Sequence, residues 1–216
     1  MKTLHRRLVP VLVVCMSLAV RIPAASAQVL AAPIWSIQLH GGMFAPIQGG
    51  GASPMLGVRY CKHYTPHVYA GMLSGYTRMS RSVDQPVQDP TDPGLRVAVG
   101  QVDAQLVPLM GFIQLNLSNR FLVPLIGAGV GYEWLKAEVK DFRTGTDYQP
   151  SYGNIAWETY GGIALRLTSK VRLNGELFYN GGALQRSVLD ANGQTWYEVV
   201  HMNGVGLRAG LDMDFE

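Results

Sequence analysis

The chain has 216 residues, with 18 Lys plus Arg against 15 Asp plus Glu, 48% hydrophobic and only 15% charged residues. The first 27 residues hold Lys2, Arg6, Arg7 and Arg21 and no acid, so the remainder carries 14 basic against 15 acidic residues, a net charge of −1. That excludes the basic face a nucleic-acid partner needs, and the single cysteine left, Cys61, excludes an internal disulfide.

Taken in chain order, Lys2, Arg6 and Arg7 precede an apolar run over 8–20, and Ala25-Ser26-Ala27 stands before Gln28. Charged start, short apolar run and A-x-A end predict a secretory leader, residues 1–27, cleaved after Ala27 and followed by one domain over 28–216. The run is thirteen residues, short of the roughly 20 that a spanning helix needs. No later stretch is long enough either, so a mature protein resident in a membrane must cross it as a closed barrel.

Residues 34–44 alternate Trp35, Ile37, Leu39, Gly41, Met43 against Ser36, Gln38, His40, Gly42, Phe44. A period of two is a strand signature, because successive side chains point to opposite faces. Residues 54–61 place Leu56, Val58 and Tyr60 opposite Gly57 and Arg59. Residues 67–79 form a third strand whose faces the alternation does not assign. In 80–94, Pro86, Pro90 and Pro93 stand among Asp84, Asp89 and Asp92 and predict a loop. Residues 96–117 are a fourth strand, with Val102, Ala104 and Leu106 opposite Gln101, Asp103 and Gln105.

The clearest pattern lies in 121–136. Leu122, Pro124, Ile126, Ala128, Val130, Tyr132 and Trp134 make one apolar row; Val123, Leu125, Gly127, Gly129, Gly131 and Glu133 make a small one. Glycine weakens a strand unless something approaches closely, so the small row predicts a crowded interior and the apolar row a lipid-facing exterior. Strands over 154–167, 171–179 and 198–215 follow, with loops at 137–153 and 180–197. Eight strands with alternating long and short connections predict an all-β, eight-stranded antiparallel up-and-down transmembrane barrel. A soluble lipocalin-like barrel also has eight strands, but gives less reason for the alternation or for an outer row of Trp, Leu, Ile, Val and Tyr.

Three stretches, Pro124-Leu-Ile-Gly-Ala-Gly-Val-Gly-Tyr132, Tyr160-Gly-Gly-Ile-Ala-Leu-Arg-Leu167 and Gly206-Leu-Arg-Ala-Gly-Leu-Asp-Met-Asp-Phe215, carry a family likeness. The chain resembles the small eight-stranded outer-membrane β-barrel family, the group of the OmpA transmembrane domain and OmpX. The resemblance implies the outer membrane of a Gram-negative bacterium, with lipid, lipopolysaccharide and the barrel-assembly machinery as partners. It departs in that Glu216 follows Phe215, where members usually end on an aromatic, and in that no peptidoglycan-binding domain follows.

The expected lumen holds Arg59, Asp103, Glu133, Glu158, Arg166, Arg172, Glu176, Arg208 and Asp212, with His40 beside them. Charges of both signs in a narrow interior read as a salt-bridge network rather than an ion path, because eight strands leave room only for side chains. Arg166 and Arg172 are expected near Glu176 and Glu158 on one wall. Trp35, Tyr60, Tyr132, Trp134, Trp157 and Phe215 are expected at the membrane interfaces, together with Tyr69, Tyr76 and Tyr179. A lipid A deacylase of this shape needs His and Ser two residues apart on a late strand. The nearest local match has Leu177 and Tyr179 there, and His201 is followed by Asn203, so no enzyme is expected. His63 and His67 flank a turn without further metal ligands; no metal or cofactor is expected. The reading is a structural or surface-interaction barrel with outward loops at 48–53, 80–94, 137–153 and 180–197 and an extracellular ligand not named by the sequence. A lipid A-modifying enzyme or a narrow small-solute channel is the alternative.

Overall fold

Residues alternating with a period of two are extended, and the rows they form decide which way each strand faces. A computed structural model of the protein describes residues 35–48, 51–86, 96–118, 120–190 and 192–215. The leader, Gln28, and the Asp89 and Asp92 part of the 80–94 loop lie outside the described residues. Within them are β1 (Trp35–Pro46), β2 (Ser53–His63), β3 (Val68–Pro86), β4 (Arg96–Asn116), β5 (Leu122–Asp141), β6 (Thr146–Tyr148), β7 (Ser151–Arg166), β8 (Val171–Leu189), β9 (Thr195–His201) and β10 (Gly204–Phe215).

Every pairing is antiparallel. The order runs from β1 through β5 to β7 and β8, and the ring closes where β10 pairs with both β8 and β1. β6 folds back on the end of β5. β9 and β10 occupy one position in the wall, so the ring has eight members. The strand expected over 198–215 is therefore broken at Met202 and Asn203. There the Asn203 side-chain oxygen accepts from Gly182 N at 3.0 Å and its carbonyl from Ile47 N at 2.8 Å. The short connections are fixed by threonine. Thr65 Oγ1 accepts from Val68 N at 3.0 Å and Thr168 Oγ1 from Val171 N at 3.0 Å, the side-chain-to-backbone bond that tightens a turn.

The outward rows form an apolar belt. Leu56, Val130, Ile155, Leu177 and Leu207 are each 60% exposed or more. A continuous apolar exterior of this kind exceeds the few hundred Å² that soluble monomers show and suits a hydrocarbon surround. Aromatic pairs border it. Trp35 stacks on Tyr60 at 5.2 Å with Phe215 beside them, while Tyr132 meets Trp134 at 4.7 Å and Trp157 meets Tyr179 at 5.5 Å. Trp35 pairs with Phe215, whereas Tyr179 pairs with Val205 and Val205 with Ala45. Ten residues on β1 thus separate the two girdles, roughly 25 Å along the axis at usual rise and tilt.

The belt ends at one register level. On β4 the outward row changes from Gln105 to Val107, and on β5 from Lys136 to Trp134; Gln105 pairs with Lys136 and Val107 with Trp134. Arg78 lies opposite Gln105 and Ser151 opposite Lys136, so the same ring continues on both sides. Beyond it the strands carry on. The 80–94 segment is paired up to Pro86 and Arg96, with a bulge between Val83 and Asp84, and residues 183–189 and 195–201 also form a ladder. Pairing thus runs through Pro86, well into the segment expected to be a loop. Here the pattern inverts, as a water-facing wall requires: Leu106 and Leu135 point inward at 4% and 3% exposure, and Gln101, Asp103 and Gln105 face out. β3 acquires faces too, with Tyr69, Leu73 and Thr77 inward and Met72 and Tyr76 outward.

Candidate functional site: the charged lumen

Inward rows from opposite walls meet across a narrow bore, and register decides which charges can touch. Glu176 on β8 lies directly opposite Arg208 on β10, and Arg172 opposite Asp212. At mid-height Arg208 Nε donates to Glu176 Oε2 at 2.7 Å, and its Nη1 and Nη2 donate to the two Glu158 oxygens at 3.0 and 2.7 Å. Arg59, from the far wall, donates through Nη1 to Glu176 Oε1 at 2.7 Å and to Gln38 Oε1 at 3.3 Å, with Glu158 at 3.8 Å. Two guanidinium groups and two carboxylates from β2, β7, β8 and β10 make one cluster. Arg59, Arg208 and Glu176 are each 1% exposed.

Aromatic rings complete it. Tyr160 sits between the two guanidinium groups, 4.2 Å from that of Arg59 and 5.1 Å from that of Arg208. Phe112 covers Arg59 and Phe178 covers Arg208 at 4.6 Å; cation–π contact favours such stacking when desolvated. Two inward glycines, Gly127 and Gly206, make room for these rings. A Cβ on Gly127 would collide with the Tyr160 ring, and one on Gly206 with that of Phe178. Gln38, Phe112, Tyr160 and Phe178 were not among the residues expected here. The parity that puts Glu158 and Glu176 inside also puts Tyr160 and Phe178 inside, which is the signal that finds them.

A second polar layer lies below. Arg172 Nη2 reaches Asp212 at 2.9 Å and Asp214 at 2.6 Å, and its Nη1 donates to the Tyr69 hydroxyl at 2.6 Å. Tyr69 is thus a lumen residue, not a girdle residue. Its ring stacks on His63 at 3.8 Å.

Arg172, expected beside Glu176 and Glu158, pairs instead with Asp212 and Asp214 in this lower layer, and three expected members stand apart from both layers. Asp103 is on the outward row above the belt, accepting from Gln101 at 2.8 Å, because the polar row faces water at that level. Arg166 is exposed at the lower end of β7, directly opposite Arg172, whereas Glu158 lies opposite Asn180. Eight residues separate Arg166 from Glu158, roughly 26 Å of strand, so a tight turn alone does not bring them together. Glu133 is inside at 1% exposure, with no ion pair among the described residues and its Oε2 without a hydrogen-bond partner. His40 is buried in the lumen at 5% exposure.

The Ser36–His63–Asp214 constellation in the lower layer lacks the geometry of a nucleophilic relay. Ser36 Oγ lies 3.1 Å from His63 Nε2, but Asp214 Oδ1 approaches that same nitrogen at 3.7 Å. A relay needs the acid on the other ring nitrogen, and Ser36 is 1% exposed. His67 Nδ1 instead meets the Asn116 carbonyl oxygen at 2.7 Å. Among the described residues no group of three His, Cys, Asp or Glu side chains could hold a metal ion.

The closed antiparallel ring has counterparts among solved structures. The outer membrane protein OprG from Pseudomonas aeruginosa superposes with a TM-score of 0.55 at 12% identity, covering 86% of this chain and 97% of that one. This is the fold of the small eight-stranded outer-membrane β-barrels. A major outer membrane protein from Thermus thermophilus gives a TM-score of 0.54 at 15% identity, covering 86% of this barrel chain and all of that one. Neisserial surface protein A gives 0.50 at 14%, covering 86% and 98%. No family model and no curated protein sequence matches the chain.

Proposed function

We propose that the mature chain, released from residues 1–27, is a Gram-negative outer-membrane barrel with a structural or surface-interaction role and a lumen closed to ions. The observation that carries this is the Arg59–Glu158–Glu176–Arg208 cluster, which bridges opposite walls through contacts of 2.7–3.0 Å with aromatic rings on its faces. Both carboxylates of the cluster are already held by guanidinium groups, and eight strands leave a bore only side chains wide. Lipid and lipopolysaccharide surround the belt, the assembly machinery inserts it, and the projecting hairpins beyond the Gln105–Lys136 level carry any recognition, since loops on a rigid scaffold are where binding concentrates. Neither cofactor nor catalytic residue belongs to this reading.

Cell fractionation with heat-modified gel mobility tests the location, and a soluble periplasmic protein refutes it. Planar-bilayer recording on the refolded protein tests closure. Steady nanosiemens-scale conductance, unaltered in Glu176→Gln or Arg208→Ala, refutes a sealed lumen. Mass spectrometry of lipid A from overexpressing cells tests the enzyme alternative; lost or added acyl chains overturn the structural role.

A further inference from the structure

Above the belt the inward rows turn apolar and the barrel widens into a cavity of about 420 Å³. Met79, Val102, Ala104, Leu135, Val200 and Met202 line it. Its size falls in the range of small-molecule sites, roughly 300–1,000 Å³. Leu135 and Met202 are 3% and 5% exposed, and Leu184 beside them is 0%, so an apolar floor separates the cavity from the charged bore. From Leu135 to Val139 the wall runs roughly 13 Å along the strand, close to the length of an extended ten-carbon chain. The ionised side chain among its described lining residues is a cation, Arg81, accompanied by His201, Gln48 and Ser80. Among the described residues, the carboxylates nearby have partners of their own: Glu198 with Arg186 at 2.6 Å, Glu138 with Lys140 at 3.0 Å and Asp103 with Gln101 at 2.8 Å.

A concave apolar wall with a cation at its rim is complementary to an amphiphile with one acidic head group. We propose that this mouth is a binding site for a fatty acid, its acyl chain against the apolar wall and its carboxylate at the Arg81 rim. The site goes beyond the structural role proposed above and does not depend on whether the bore conducts.

The test is nuclear magnetic resonance of the protein in lipid nanodiscs with 13C-methyl methionine, titrated with decanoate and, separately, decanol. Saturable shifts of the Met79 and Met202 methyls are expected, with none at the belt residues Met43 and Met72. Ala104→Trp, which fills the cavity, abolishes the shifts while native gel mobility is retained. Arg81→Gln leaves the fold intact and weakens decanoate roughly two- to fivefold, the worth of an exposed ion pair, without changing decanol. Shifts that grow linearly at all four methyls report partition into the bilayer and overturn the site. Decanol binding as tightly as decanoate overturns the carboxylate as its recognised group.

Discussion

Arg208→Ala removes the hub of the central cluster. The wild-type guanidinium makes three charge-assisted bonds, to Glu176 at 2.7 Å and to Glu158 at 3.0 and 2.7 Å. After the change one cation faces two carboxylates, and Arg59, the remaining one, is 2.7 Å from Glu176 but 3.8 Å from Glu158. Glu158 is 6% exposed, so its charge cannot recover hydration without water entering the bore. Breaking a buried pair costs about 3–5 kcal/mol, and the lost stacking on Phe178 adds to it. The assay is urea unfolding of the refolded barrel in bilayers, followed by tryptophan fluorescence. Adding Glu158→Gln should recover part of the loss, because neutralising the stranded partner removes the uncompensated charge. A loss below about 1 kcal/mol, the value of a solvent-exposed pair, together with no recovery in the double variant, would refute the argument and show a hydrated bore.

Three further outcomes are expected. Val130→Lys, at mid-belt, should destabilise by roughly 2–4 kcal/mol, whereas Asp103→Ala, on the water-facing row, should stay within about 0.5 kcal/mol; equal effects in the same unfolding assay would place Asp103 in the lumen after all. Cys61, 7% exposed and 3.0 Å from Ser36 Oγ, should resist maleimide in the folded barrel and react fully in urea, as mass spectrometry of each form would report. In the outer turn after β5, Asp141 Oδ1 accepts from Arg143 N at 2.8 Å and Thr144 N at 3.4 Å, and these backbone donors, Arg143 first, hold its carboxyl below the ordinary carboxylate value. A depressed folded value means the turn is supported above the unfolded-state pKa and loses that support as pH falls through the folded one; a carboxyl-carbon titration whose midpoint matches that in urea would contradict this.

The strand rows were legible because lipid on one side and crowding on the other impose the same period of two along 34–44, 54–61 and 121–136. Which polar row faces inward was not legible at the outer end. Asp103 alternates with Val102 and Ala104 as a lumen residue would, and only the level of the belt edge, set by pairing Gln105 with Lys136, shows that the polar row has become the outer one. Arg166 fails for a related reason: opposite charges on adjacent strands say nothing until register shows them to be eight residues apart. Tyr69 lies on a strand whose alternation is weak, with Gly71 and Gly75 on its inward row, so parity was unreadable there. The segment 80–94 departs from the expected loop because a proline at the end of a strand does not prevent pairing of the residues before it: 80–86 pair with 96–103.

The belt edge also accounts for two interiors within one tube. Where the exterior is apolar, the wall's outer rows supply the match to hydrocarbon and the interior need only satisfy itself. Paired charges do that, since Arg59, Glu158, Glu176 and Arg208 find each other at 2.7–3.0 Å. Where the exterior is wet, polar residues move outward and the strands hold together as a soluble sheet does, by inward apolar contacts such as Leu106 and Leu135. The inversion costs no extra residue, because strand parity is unbroken from Gln105 to Val107 on β4 and from Trp134 to Lys136 on β5; only the choice of side chain changes at that level. Glu133 and Leu135 are consecutive inward positions on β5 that straddle it, and the change from carboxylate to leucine between them is the boundary between the polar bore and the apolar mouth.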